Sequence, residues 1–195
     1  MAGLQLVWPS REYLPGFIDA LEHGWSPDNV RGAAVIPGFL ERIAQDPDGF
    51  LSTLMLRDPQ GVTIALPDGT EVPRLPGYNR WLWDGEFCGS IGFRWQPGSN
   101  ELPLYVMGHI GYSVVPWKQR RGYATEVLRQ LLPDCAHEGL RYVYLTTEAH
   151  NVASQKTILK NGGVFLGTFD KTPHHGGGKG LRYRIDLAPS LTRRL

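Results

Sequence analysis

A single mixed α/β domain, with a central sheet of about six or seven strands flanked by helices, is predicted by three features of the chain. Short runs rich in β-branched and aromatic residues recur at 4–8, 78–83, 86–95, 140–146, 164–170 and 181–187. Between them lie segments whose apolar residues repeat at helical spacing, clearest at Ala124, Val127, Leu128, Leu131, Leu132 and Cys135. The unit from residue 104 to 146 reads strand, helix, strand, which demands a right-handed crossover and parallel pairing.

The elements follow in order. Leu4 to Trp8 alternates loosely as a first strand, and Ser10 is placed to cap a helix over residues 11–22 that Pro15-Gly16 shortens or breaks. Residues 25–37 are turn-rich. Phe39-Leu40-Ile43 and Phe50-Leu51-Leu54-Met55-Leu56 form two short helices split by Asp46-Pro47-Asp48-Gly49. Residues 57–77 carry turns at 58–61 and 67–69 and read as a hairpin or a lid-like loop. The strands at 78–83 and 86–95 are joined by Asp84-Gly85, a strong hairpin signal. Leu104 to Val115 is the next strand. The helix after it starts near Gly122, contains Pro133, which predicts a kink or early end, and closes at Gly139. After the strand at 140–146, Asn151 caps a helix over 152–160 that Asn161-Gly162-Gly163 terminates, and two strands complete the chain.

Composition narrows the function. The 195 residues suffice for one domain, 1–195, with no repeat. A net charge of +1 gives no global field for nucleic acid or an anionic membrane. No apolar run reaches membrane-spanning length, and no leader segment is evident. Cys88 and Cys135 fall in apolar patterns and read as buried thiols. A cytoplasmic protein, monomer or homodimer, is expected.

Chemistry concentrates at residues 108–125. Pro116 closes the strand, and Lys118, Arg120 and Arg121 surround Gly122 where the helix begins. The first N–H groups of a helix have no partner within it. With the positive end of the helix dipole and the nearby cations they form a site for a phosphate-like anion. Gly122 lets a ligand approach the backbone, and Ala124 keeps the wall low.

Gln119-x-x-Gly122-x-Ala124, after a strand and before an amphipathic helix, resembles motif A of the GNAT superfamily of acyl-CoA-dependent N-acetyltransferases. The resemblance runs from about residue 3 to 187, with the diagnostic segment at 104–170. It implies acetyl-CoA as co-substrate, no metal, and an amine of a small molecule or peptide as acceptor. It places the pyrophosphate on Gln119, Arg120, Arg121, Gly122, Tyr123, Ala124 and Thr125. Pantetheine would pair with backbone groups of Val114 and Val115, between splayed strands. Asn151 is either a pantetheine contact or simply a helix cap; Ser154 and Lys156 follow on the same helix, where Lys156 could reach a CoA phosphate.

The proton chemistry departs from the family. Many relatives place a Tyr acid seven residues after the Asn, where this chain has Ile158. Ser154 could donate to the leaving thiolate instead, or no acid is needed. The general base is open among His109, which is equally readable as a hydrogen-bonded sheet residue, Glu148 and His150. His174-His175 lacks the companions of a metal site. Of the tryptophans at 81, 83, 95 and 117, most read as sheet core, with Trp117 partly exposed. The alternative function is a catalytically silent acyl-CoA-binding regulatory or sensor module.

Overall fold

The computed structural model describes residues 3–66 and 68–188. Pro67, in the turn read at 67–69, and the last residues of the 1–195 span lie outside them. The elements run β1 (Gln5–Val7), α1 (Leu14–Glu22), α2 (Ile36–Gln45), α3 (Pro47–Thr53), β2 (Met55–Leu56), β3 (Thr63–Ala65), β4 (Glu71–Pro73), β5 (Gly77–Trp83), β6 (Phe87–Arg94), β7 (Ile110–Val114), α4 (Tyr123–His137), β8 (Tyr142–Thr147), α5 (Val152–Lys160), β9 (Val164–Asp170) and β10 (Lys179–Asp186). The fold is mixed α+β, as expected.

The sheet is not continuous. One antiparallel sheet has the order β1-β5-β6-β7, with β2 also on β5; another has the order β8-β10-β9. The hairpin expected within 57–77 is present as β3-β4. The parallel pairing anticipated across the motif helix shrinks to one backbone bond, His109 N–H to Tyr144 O at 2.8 Å, with no ladder between β7 and β8 among the described residues. Gly108 permits that approach, since a Cβ there would lie 3.0 Å from Tyr144 O. Beyond it β7 is held elsewhere. Asn29 Nδ2 donates to Tyr112 O, Trp25 Nε1 donates to Ser113 Oγ, and that hydroxyl donates to Ser26 O. The segment before α2 thus straps β7 on the side where β8 would have paired.

Two apolar layers cover the larger sheet. α4 buries Val127, Leu128, Leu131 and Cys135 with Leu82, Ile91 and Phe93 of the strands. The second layer gathers α1 to α3 around Phe17, whose ring stacks on Trp81 at 4.9 Å. Trp81 and Trp95 are core and Trp117 is exposed, in line with the sequence pattern. Both cysteines are buried free thiols.

Several boundaries differ from expectation; the helix read through Leu56 ends at Thr53, and Met55–Leu56 pairs with β5 as β2. The strand read as 104–115 begins only at Ile110, and Leu104 stands 97% exposed. α1 starts at Leu14; the Ser10 carbonyl rather than its hydroxyl accepts from the Tyr13 and Leu14 N–H groups. Pro15 then sits in the first turn, where its missing N–H is harmless. Pro133 does not break α4, which continues to His137. It lies on the exposed face, where water can satisfy the carbonyl one turn back. Among the described residues no helix is long and apolar enough to cross a membrane.

Candidate active site

The turn before α4 is an open donor cluster. Pro116–Lys118 makes one 3₁₀ turn, Gln119 is extended, and Arg120 takes φ 62°. Gly122 caps α4 at φ 81°, which glycine adopts without strain. The helix's first internal bond runs from Glu126 N–H to Gly122 O, and among the described residues no side chain caps this N-terminus. The amides of 123–125 are therefore left for a ligand. One expected cation is not available. Lys118 is 7% exposed, with Nζ 2.6 Å from Asp84 and 3.0 Å from Glu86. Arg120 and Arg121 remain exposed.

This turn opens into a cleft of about 790 Å³ between the diverging β7 and β8, closed by the start of α5 and the 171–180 loop. Gln119, Arg120 and the residues from Gly122 to Thr125 line it, as do Val114, Glu148, Asn151, Ser154 and Lys156. Asn151 Oδ1 accepts from Ser154 N–H at 3.0 Å, so the cap is real. The Val114 carbonyl accepts from Gln119 Nε2 at 3.2 Å.

Three expected residues stand outside the cleft wall. Val115 is fully buried in the core; its N–H donates to Cys88 O and its carbonyl accepts from Lys118 N–H, so it has no backbone group to offer. Arg121 turns its guanidinium toward Trp117 O, at 3.4 Å. His109 is fully buried, and its Nδ1 accepts from Tyr144 N–H at 2.9 Å. That bond puts the proton on Nε2, which has no hydrogen-bond partner among the described residues. Burial pushes the imidazole down to about 4. A ring whose acceptor nitrogen is engaged and whose basicity is lowered fits the sheet reading of His109 better than the base reading. His109→Gln is expected to reduce stability by about 1–3 kcal/mol while leaving the acid limb of the kcat/KM profile in place. An acid limb that vanishes in this variant would reinstate His109 as the base.

Two other groups stand on the cleft wall. The Glu148 carboxylate faces the cleft in an ion pair with Lys171, which also lines it. The Tyr112 hydroxyl lies 2.9 Å from Ser154 Oγ and 3.4 Å from the Ser154 carbonyl. Burial, opposed by the contacts with Ser154 and Thr157, pushes the Tyr112 phenol up to about 12. Tyr112 was visible as a β-strand aromatic two residues before Val114, hence on the same face, but its approach to α5 depends on the splay. Among the described residues no group of three or more His, Cys, Asp or Glu side chains converges to hold a metal.

The chain is similar in structure to the microcin C7 self-immunity acetyltransferase MccE, solved with acetyl-CoA and AMP, at TM-score 0.60 and 13% identity over 94% of this chain and 92% of that one. RimL, the ribosomal L7/L12 alpha-N-protein acetyltransferase, solved with coenzyme A, matches at TM-score 0.59 and 12% identity over 96% of each chain. A GNAT-family acetyltransferase from Bacillus anthracis matches at TM-score 0.59 and 16% identity over 95% and 96%. No curated protein matches the sequence. At these identities the structural likeness speaks for the fold alone. The sequence itself matches the family model of the acetyltransferase (GNAT) domain across residues 40–164, more than half its length. The chain belongs to the GNAT acetyltransferases, a family of acyltransferase enzymes.

Proposed function

We propose that this protein transfers the acetyl group of acetyl-CoA to a primary amine of a small molecule or peptide, by direct attack in a ternary complex. The observation that carries the reading is the continuity of one cleft. The uncapped N-terminus of α4 opens into the same space as the gap between β7 and β8. A pyrophosphate on the amides of 123–125 and the Arg120 side of the turn leaves pantetheine to run along Val114, with Asn151 and Lys156 on the facing wall. That two of the similar structures hold coenzyme A or acetyl-CoA supports acetyl-CoA as the donor.

Each catalytic requirement has a candidate on the cleft wall. Glu148 takes the proton of the incoming amine, which as an ammonium competes with Lys171 for the carboxylate. Ser154 donates to the departing thiolate, and Tyr112 orients its hydroxyl. Direct attack fits the thiols: Cys88 is buried, and burial pushes it up to about 12, so no thiolate nucleophile is at hand. A peptide amine is a reasonable acceptor class because RimL is named for acetylating a protein N-terminus. The test is an acceptor panel of amines and peptides with acetyl-CoA, read by thiol release. Release that depends on acceptor supports the proposal. Binding of acetyl-CoA without release above the spontaneous rate, for every acceptor, would leave the silent sensor module instead.

A further inference from the structure

The β5–β6 hairpin reaches the phosphate turn. Asp84 sits at the hairpin tip, followed by Gly85 at φ 113°. Its Oδ1 accepts from Lys118 Nζ at 2.6 Å and its Oδ2 accepts from Tyr123 OH at 2.6 Å. Those two residues bracket Gln119 to Gly122, the segment whose backbone turns the amides toward the cleft. A single carboxylate therefore ties the entry and exit of the turn to the sheet. The carboxylate is 16% exposed and the lysine 7%, so the lysine arm is not a loose surface pair. Glu86 adds a third contact, to Lys118 at 3.0 Å.

We infer that Asp84 is a positioning residue for coenzyme A: it holds the 119–122 turn in its anion-binding shape without touching the ligand. The inference rests on the proposal that this turn receives the pyrophosphate. A turn with Arg120 at φ 62° and Gly122 at φ 81° is not the conformation a free segment prefers, because a non-glycine residue at positive φ is disfavoured. An external clamp supplies the constraint, and constraint is what makes a row of backbone amides a good anion site. It also gives a role to Lys118, whose ammonium is tied to Asp84 and Glu86 although the residue borders the cleft: it anchors the turn.

The sign of the effect separates this from simple electrostatics. Asp84 is a negative charge close to a phosphate site, so by Coulomb's law alone Asp84→Asn should tighten coenzyme A binding. The clamp predicts the reverse. By calorimetry with coenzyme A as the probe, Asp84→Asn should raise Kd about 10-fold or more. In the unliganded protein the hydrogen-bonded amides that frame the turn, those of Lys118, Gln119 and Glu126, should exchange faster than in wild type. Tyr123→Phe removes one arm without changing charge and should weaken binding by about 3-fold, which keeps the test available if Asp84→Asn does not fold. An unchanged or lower Kd in either variant overturns the clamp. Gly122→Glu distinguishes the two levels. If it abolishes coenzyme A binding while Asp84→Asn binds normally, the clamp alone fails. If Gly122→Glu binds like wild type, the pyrophosphate reading fails and the clamp with it.

Discussion

Gly122→Glu should eliminate the rise in melting temperature that acetyl-CoA gives the wild-type protein, with Kd weakened by about 100-fold or more. The substitution acts in two ways. It places a carboxylate at the N-cap of α4, where the phosphate is proposed to sit and where, among the described residues, no other side chain caps the helix. It also asks a residue with a Cβ to hold φ 81°, which costs about 1–2 kcal/mol. The protein should still fold, because nothing lies within 4 Å of a Cβ built at Gly122. Gly122→Ala carries the same backbone cost without the charge. It should lower the unliganded melting temperature about as much, yet keep most of the ligand-induced rise. An undiminished rise in Gly122→Glu would show that the ligand binds elsewhere.

What could be read from the chain was local. The anion turn follows from Gly122, the basic residues and the apolar repeat of α4, all within a short stretch, and the structure puts the turn residues from Gln119 to Thr125, except Arg121, on the cleft wall. Asn151 as a cap is equally local, since the bond spans three residues. What escaped depends on contacts far apart in sequence. Asp84 lies 34 residues from Lys118 and 39 from Tyr123; in the sequence it is only a turn former before a glycine. Val115 and His109 were assigned to the site because strand alternation alone cannot say which backbone groups pair with a neighbour and which face an opening. Cys88 claims the first and Tyr144 the second. The basic turn likewise reads as a set of equal cations until the hairpin removes Lys118 from it. The segments 25–31 and 171–180 that border the cleft have no periodicity, so their chemistry shows only in three dimensions.

Removing the Ser154 hydroxyl should lower kcat by about 100-fold, with Kd for acetyl-CoA near wild type, because the interaction matters only as negative charge develops on sulfur. Ser154 Oγ can do this only if its own proton points at the thiolate, and a serine hydroxyl rotates freely unless something fixes it. The Tyr112 phenol, 2.9 Å away, can donate to Oγ and leave the serine proton directed into the cleft. Tyr112→Phe should therefore lower kcat by about 10-fold, again with little change in Kd for acetyl-CoA. If the two groups act as a unit, the double variant should be no slower than Ser154→Ala alone, since an orienting group has nothing left to orient. Additive losses would mean that Tyr112 acts independently, for instance on the acceptor. A Ser154→Ala protein with normal kcat and only a lower melting temperature would reduce Ser154 to a residue of the α5 start. In that case departure of the thiolate would need no protein acid, and placement in the cleft would carry the acceleration by proximity.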